Sequence, residues 1–556
     1  MTRTSASFAL AGIVIWILAY SSLDNVFVDA RTHVKPDHET AERNGHHIFN
    51  VIHSATRQWG SAMNHNGLSF FPVIVPRGTL LYHGAQAANR PSGAEWMAFE
   101  VEHAHAFAFN MESPTRNAIK DANPPGQHPM FSVASKSDSN ATYYRGYLQT
   151  YRAKRGLNLL YVDGMSAGKT NMGTLDTQDL VLRENKTLGK GDPLRNEYAR
   201  AESICGILTE WGYDGLMRME IGFEVIYCDF DKGLDLVMAT RTALRGDPSF
   251  VANMNLFQWA RAVSERYEGI GGDRARVDFS SMVSGYFFPI NISSTDPARP
   301  DLLRLAAASP DELKDIKMYL EEVAKKPRRF TVQWQAVADM IVTRYAKRLA
   351  LLAAPNQPFE VVAKELEIAT QAYINAPAQP GDITIQESSG HNQTTEALRA
   401  CKQHYLLPTY LDRESWSPQD HLIHTAMQSV VSDICGTLFA ALSIMDGDGD
   451  AEVDVDADVD ADADAVERKD SGRHRTDGPT PADRLRGSRK LFAELKERLD
   501  WSGWRKPQPC AVDEFLFTVM WPMGNSEDYW NPGCRTREQI DIDRRHYWTP
   551  DILRGL

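Results

Sequence analysis

The residues best suited by type and spacing to do chemistry begin at Gly78-Thr79-Leu80-Leu81-Tyr82-His83-Gly84. There an apolar, β-prone run ends in a histidine, and glycine releases the chain into a loop. Such a histidine can form the floor of a ligand site. Far downstream, Gly222-Phe223-Glu224-Val225-Ile226-Tyr227 sets a carboxylate on another β-prone run, and Glu220 competes with Glu224 for any catalytic role. Between them, Val162-Asp163-Gly164-Met165-Ser166-Ala167-Gly168-Lys169-Thr170 runs from a strand into Gly-Lys-Thr. The gap from Gly164 to Gly168 is one residue short of a phosphate-cradling loop, and poor helix material follows. A glycine-rich loop bordering the pocket is expected instead.

Metal chemistry finds less support. Asp456, Asp458, Asp460 and Glu467 fall at EF-hand spacing, but Ala461 stands where the sharp turn requires glycine. The alternating Asp-Ala tract therefore reads as a weakly cation-binding linker. His46, His47, His103 and His105 lack a zinc spacing such as His-Glu-x-x-His and are expected to be surface or helix histidines. No Gly-x-Ser-x-Gly nucleophile elbow is present.

The elements that must position these residues change character along the chain. From 68 to 230, short apolar runs at 70–75, 79–82, 96–99, 157–162 and 223–227 alternate with Gly, Pro, Asn and Asp, the pattern of strands joined by loops. One helix interrupts them at 197–211, with Ala201, Ile204, Cys205, Leu208 and Trp211 at helical spacing. Beyond 245, helical spacing dominates at 310–325, 332–352, 359–372 and 421–445. The resulting division is an α+β domain at 31–245, a mainly helical region at 246–445, an acidic disordered linker at 446–483, and a C-terminal helix with a Cys-bounded tail at 484–556.

The order of motifs resembles the ADP-ribosyltransferase-like fold. Such domains carry a strand with Tyr-His-Gly, then a strand–helix unit, then a Gly-aromatic-Asp-Gly turn before a strand bearing glutamate. The corresponding residues here are Tyr82-His83-Gly84, Trp96-Met97-Ala98-Phe99, Gly212-Tyr213-Asp214-Gly215 and Glu224. The resemblance implies a mixed sheet that binds NAD, with Tyr82, His83, Gly84, Trp96 and Phe99 contacting the nucleotide and Tyr82 stacking on nicotinamide. His83 would hydrogen-bond the ribose and amide, while Glu224 would stabilise an oxocarbenium-like transition state. The chain departs from the family at Met97-Ala98-Phe99, where hydroxyl-bearing residues are usual, and at Gly222, which removes the Glu-x-Glu pair of arginine-modifying members.

Composition and the N-terminus address compartment. Arg3 precedes an uncharged run at 8–20 and then Val28-Asp29-Ala30, which reads as a signal peptide at 1–30, or else a retained signal anchor. The run is shorter than the ~20 apolar residues that span a bilayer, so no stable span is expected after cleavage. Asn140, Asn185, Asn291 and Asn392 each open a glycosylation sequon. The 6 cysteines suit an oxidising lumen, and proximity suggests Cys205 with Cys228, Cys401 with Cys435, and Cys510 with Cys534. A net charge of −13 argues against nucleic acid as a partner.

Two functions fit these features. The first is a secreted glycoprotein with an ADP-ribosyltransferase or NAD-glycohydrolase domain and NAD as substrate. The second is a non-catalytic secreted or cell-surface glycoprotein serving as a binding or structural module. The first requires His83 and Glu224 to face one cleft from neighbouring strands.

Overall fold

The computed structural model describes residues 33–112, 142–186, 196–243, 248–266, 268–375, 393–447, 479–507, 509–540 and 547–548. The expected signal segment, the Asn140 and Asn392 sequons and nearly all of the acidic tract lie outside the described residues. Three short helices open the described chain: α1 (His38–Arg43), α2 (Gly45–Ser54) and α3 (Gln58–Met63). They precede a mixed sheet.

The sheet has 10 strands in the order β10-β6-β2-β3-β9-β8-β7-β1-β11, with β12 also pairing to β1. Its members are β1 (Ser69–Val75), β2 (Leu80–Ala85), β3 (Glu95–Ala98), β6 (Tyr147–Ala153), β7 (Leu157–Val162), β8 (Gly215–Glu220), β9 (Gly222–Tyr227), β10 (Leu234–Arg241), β11 (Arg276–Val277) and β12 (Val283–Ser284). All pairs are antiparallel except β7 with β8. A separate hairpin joins β4 (Phe109–Glu112) to β5 (Thr142–Arg145). The central strands β8 and β9 are buried at every position, which is why their sequences are apolar without clean alternation.

Two helices lie between the strands: α4 (Val101–His105) follows β3 directly, and α5 (Glu197–Glu210) precedes β8. Ala201, Ile204, Cys205 and Leu208 of α5 are buried, as their spacing predicts. The sheet runs across the expected domain boundary at 245. Strands β11 and β12 lie beyond it and pair with β1.

The helical region contains α6 (Pro248–Ser264), α7 (Pro310–Ala324), α8 (Trp334–Ala353), α9 (Phe359–Thr370), α10 (Gln393–Gln403) and α11 (Pro418–Asp446), with α12 (Pro481–Leu499) following. Local chemistry fixes the helix starts: Ser309 with Glu312, Ser417 with Asp420 and Thr480 with Asp483 form reciprocal capping boxes, each followed by proline in the first turn. The 29-residue α11 is long and apolar enough to cross a membrane. In this fold its Leu422, Ile423, Met427, Val430, Ile434 and Leu438 are buried in a core continuous with the sheet. The tail carries β13 (Glu514–Phe517), α13 (Ser526–Trp530) and β14 (Gly533–Thr536).

Disulfides join Cys205 to Cys228, Cys401 to Cys435 and Cys510 to Cys534, the pairing that sequence proximity suggests. Asn185 and Asn291 are exposed.

Candidate functional site

Sheet register decides which predicted residues meet. Thr150, Tyr82, Ala98, Glu224 and Arg218 are successive partners across β6, β2, β3, β9 and β8, so their side chains share one face. Trp96 belongs to this face, two residues from Ala98. His83 is one residue out of step and therefore points to the opposite face. The structure does not bring His83 to Glu224, so the shared His83–Glu224 cleft that the ADP-ribosyltransferase resemblance implies is not formed, and any chemistry at Glu224 must use other partners.

On its own face His83 is buried, 5.5 Å from the Phe230 ring, and its Nδ1 shares a hydrogen bond with the Trp96 carbonyl at 2.6 Å. Burial lowers its pKa to about 4, against the opposing effect of the Trp96 carbonyl, so the ring is neutral at pH 7. The other nucleotide-binding candidates also have structural partners. Trp96 packs edge-on against Tyr198 at 5.0 Å, and Tyr82 is half-buried. Phe99 is buried, with its carbonyl accepting from Arg274 Nη1 at 2.8 Å. A Cβ on Gly84 would lie 2.2 Å from the Ala104 carbonyl, so this glycine lets α4 pack directly on β2.

The face carrying Glu224 holds a buried polar cluster. The tight β8–β9 connection pairs Glu220 with Gly222, whose φ of +89° suits glycine, and so folds Glu220 back beside Glu224. Contacting atoms of Glu220, Glu224 and His103 all lie within 4.8 Å of one another. Arg218 Nε donates to Glu224 Oε1 at 2.8 Å, and its Nη1 donates to Gln178 Oε1 at 3.0 Å. Its Nη2 donates to Glu197, which also accepts from Arg200. Arg200 in turn grips Asp179 through two bonds of 2.9 Å. Lys169 Nζ lies 3.3 Å from Glu220 Oε2, 3.8 Å from Glu197 Oε2 and 4.5 Å from the Trp521 ring centre.

These surroundings separate the carboxylates chemically. Burial pushes Glu220 up to about 7, with Lys169 opposing and the charge of Glu224 adding to the rise. Burial also acts on Glu197, but Arg218, Lys169 and Arg200 outweigh it and hold that carboxyl well below the usual range. His103 is lowered to about 3 by burial and by Lys169, and it stacks on Trp259 at 4.4 Å. Its Nδ1 is buried without a hydrogen-bond partner. One glutamate can therefore exchange a proton near pH 7 while its neighbour is anchored to an arginine, the division of roles that acid–base chemistry uses.

His103, Glu220 and Glu224 also have the donor types of a cation site. Lys169 and Arg218 already meet the charge of both carboxylates, which favours the acid–base arrangement. Gln178 and Asp179 come from a π-helical turn, Thr177–Leu182, a local geometry frequent at functional sites.

Sequence reasoning anticipated Glu224, Glu220 and a loop near Lys169, but missed His103, Glu197, Arg200 and Arg218. The available signal was a charged residue inside an apolar run: Arg218 sits among Leu216, Met217 and Met219 and is fully buried.

Comparison with known proteins places every residue of this cluster except Trp259 and Trp521 in one family-matched region. A family model described as the YPL277C N-terminal domain matches residues 33–146 and 132–245. Uncharacterized protein YOR389W of Saccharomyces cerevisiae is 35% identical over 196 residues, covering 33% of this chain and 31% of its own length. Uncharacterized protein YPL277C of the same yeast is 35% identical over 198 residues, covering 33% of this chain and 40% of its own length. No solved structure matches this chain. The chain spans well under half the length of the curated relatives it matches, and the match to the YPL277C N-terminal domain family covers the sheet region that carries Glu220 and Glu224.

Proposed function

We propose that this chain is a secreted enzyme that cleaves or transfers at the N-glycosidic carbon of NAD or a related nucleotide. The observation that carries this reading is the pairing of Glu220, pushed up to about 7, with the arginine-anchored Glu224. The C1′–N bond breaks and nicotinamide leaves as a neutral base with the bonding pair, Glu224 stabilises the positive charge developing at the anomeric carbon, and Glu220 takes the proton of the water or hydroxyl that forms the new C1′–O bond. The motif order alone does not carry NAD as the substrate, because His83 lies on the opposite face; what supports it is that Tyr82, Trp96 and Glu224 share one face of the sheet. His83 has a structural role in this mechanism, holding β2 to the β3 backbone. Secretion is supported by the uncharged run after Arg3 and by the three disulfides.

The test is release of label from nicotinamide-labelled NAD by the purified chain, compared with Glu224→Gln and Glu220→Gln. Loss of release in both variants supports the reading. Equal release from wild type and Glu224→Gln removes Glu224 from the mechanism.

A binding or structural module is the second reading, and one observation favours it. Glu220 and Glu224 are 4% and 6% exposed, each already paired to a cation, as in a network that serves stability alone. That reading holds if the wild-type chain releases no label while both variants lower the melting temperature.

A further inference from the structure

A groove of about 590 Å³ opens on the helical region, within the size range of small-molecule sites. It is lined by Arg344 of α8, by Tyr373, by Arg399 and Gln403 of α10, and by His404 and Tyr405 that follow α10. The aromatic rings are neighbours: His404 lies 4.7 Å from Tyr405 and 5.6 Å from Tyr373. Neither Arg344 nor Arg399 makes an ion pair with a carboxylate among the described residues, although the chain carries a net charge of −13. Nearby Arg348, by contrast, is paired with Glu365.

Guanidiniums with no carboxylate partner among the described residues, beside aromatic rings, define a ligand with two parts. A guanidinium presents a planar fork of donors that matches phosphate, and it does so best when no carboxylate competes. Tyrosine and histidine rings offer flat surfaces on which a planar base stacks. The platform is rigid, because Cys401, beside the groove-lining Ala400, is bonded to Cys435 of the buried helix α11.

We propose that this groove binds a nucleotide, its phosphate between Arg344 and Arg399 and its base against Tyr373, His404 and Tyr405. The site is separate from the Glu220–Glu224 cluster and does not depend on the reading given to that cluster.

Calorimetric titration of the full chain with adenosine monophosphate tests it. The wild-type chain binds, and the Arg344→Ala/Arg399→Ala double variant binds at least about tenfold more weakly. Inorganic phosphate and adenosine, titrated alone, each bind more weakly than the nucleotide. No binding by the wild-type chain, equal binding by the double variant, or phosphate binding as tightly as the nucleotide each overturns the proposal. Arg399 is exposed and Arg344 half-exposed, so the double variant folds, and an unchanged melting temperature checks this.

Discussion

Glu220 and Glu224 flank Gly222 on one hairpin and direct their carboxylates into the same buried space, one toward Lys169 and the other toward Arg218. Arg218 is the keystone, since it also serves Glu197 and Gln178. Removing it strands the buried Glu224 carboxylate and takes one of three neighbouring cations from Glu197. Arg218→Met is therefore expected to cost about 3–5 kcal/mol, the range for breaking a buried ion pair from one side. Urea denaturation reads this directly, and a loss below about 1 kcal/mol would mean that water already reaches the cluster.

The raised Glu220 makes stability depend on pH. A carboxyl whose folded value is about 7 instead of 4.5 holds its proton more tightly in the folded chain. Its contribution favours folding fully below about pH 4.5 and is lost as pH rises through about 7, amounting to about 3 kcal/mol. Glu220→Gln cannot release a proton and lacks this slope. The stability difference between wild type and variant is expected to change across pH 4.5–7.5, and a constant difference would place Glu220 in contact with solvent.

His83 acts in the opposite sense. Its folded value of about 4 lies below 6.5, so the neutral ring supports folding above pH 6.5, and that support is lost as pH falls toward 4. His83→Phe removes this acid sensitivity. It also leaves the Trp96 carbonyl without the ring nitrogen, at a cost of about 1–3 kcal/mol. Because His83 faces away from Glu224, label release from NAD is expected to survive in His83→Phe and to disappear in Glu224→Gln. Loss of release in a folded His83→Phe would return the histidine to the mechanism.

The contrast between His83 and Glu224 marks what the sequence can and cannot reveal. Strands at 69–75, 157–162 and 222–227 and the helix at 197–210 lie where apolar spacing puts them, because that spacing is imposed by local burial. Which face a strand residue adopts depends on its partner strand, and a one-residue offset separates Tyr82, on the Glu224 face, from His83. The charged cluster is harder still to read. Lys169 meets Glu220 across 51 residues and Glu197 meets Arg218 across 21, contacts that no local pattern encodes. The continuation of the sheet past 245 is hidden for a related reason: β11 and β12 are two residues each and have no periodicity of their own.

The C-terminal tail packs against the cluster on its Lys169 side. Trp521 lies between the half-cystines Cys510 and Cys534, with Lys169 over its ring and its backbone N–H directed at Met165 Sδ, 3.4 Å away. Met520 and Met523 beside it are buried with Trp259 and Ile221, so the segment is packed down over the loop that carries Lys169. A substrate approaching Glu220 from this side must displace the indole. Trp521→Ala removes that cover and the cation–π contact, which contributes about 0.5–2 kcal/mol. Carbodiimide labelling of Glu220, followed by mass spectrometry, is expected to rise severalfold in Trp521→Ala with little change in Arg399→Ala. Unchanged labelling in a folded Trp521→Ala would show that the route to the carboxylates lies elsewhere. A rise in labelling together with faster release of label from NAD would identify the indole as the barrier that substrate must pass.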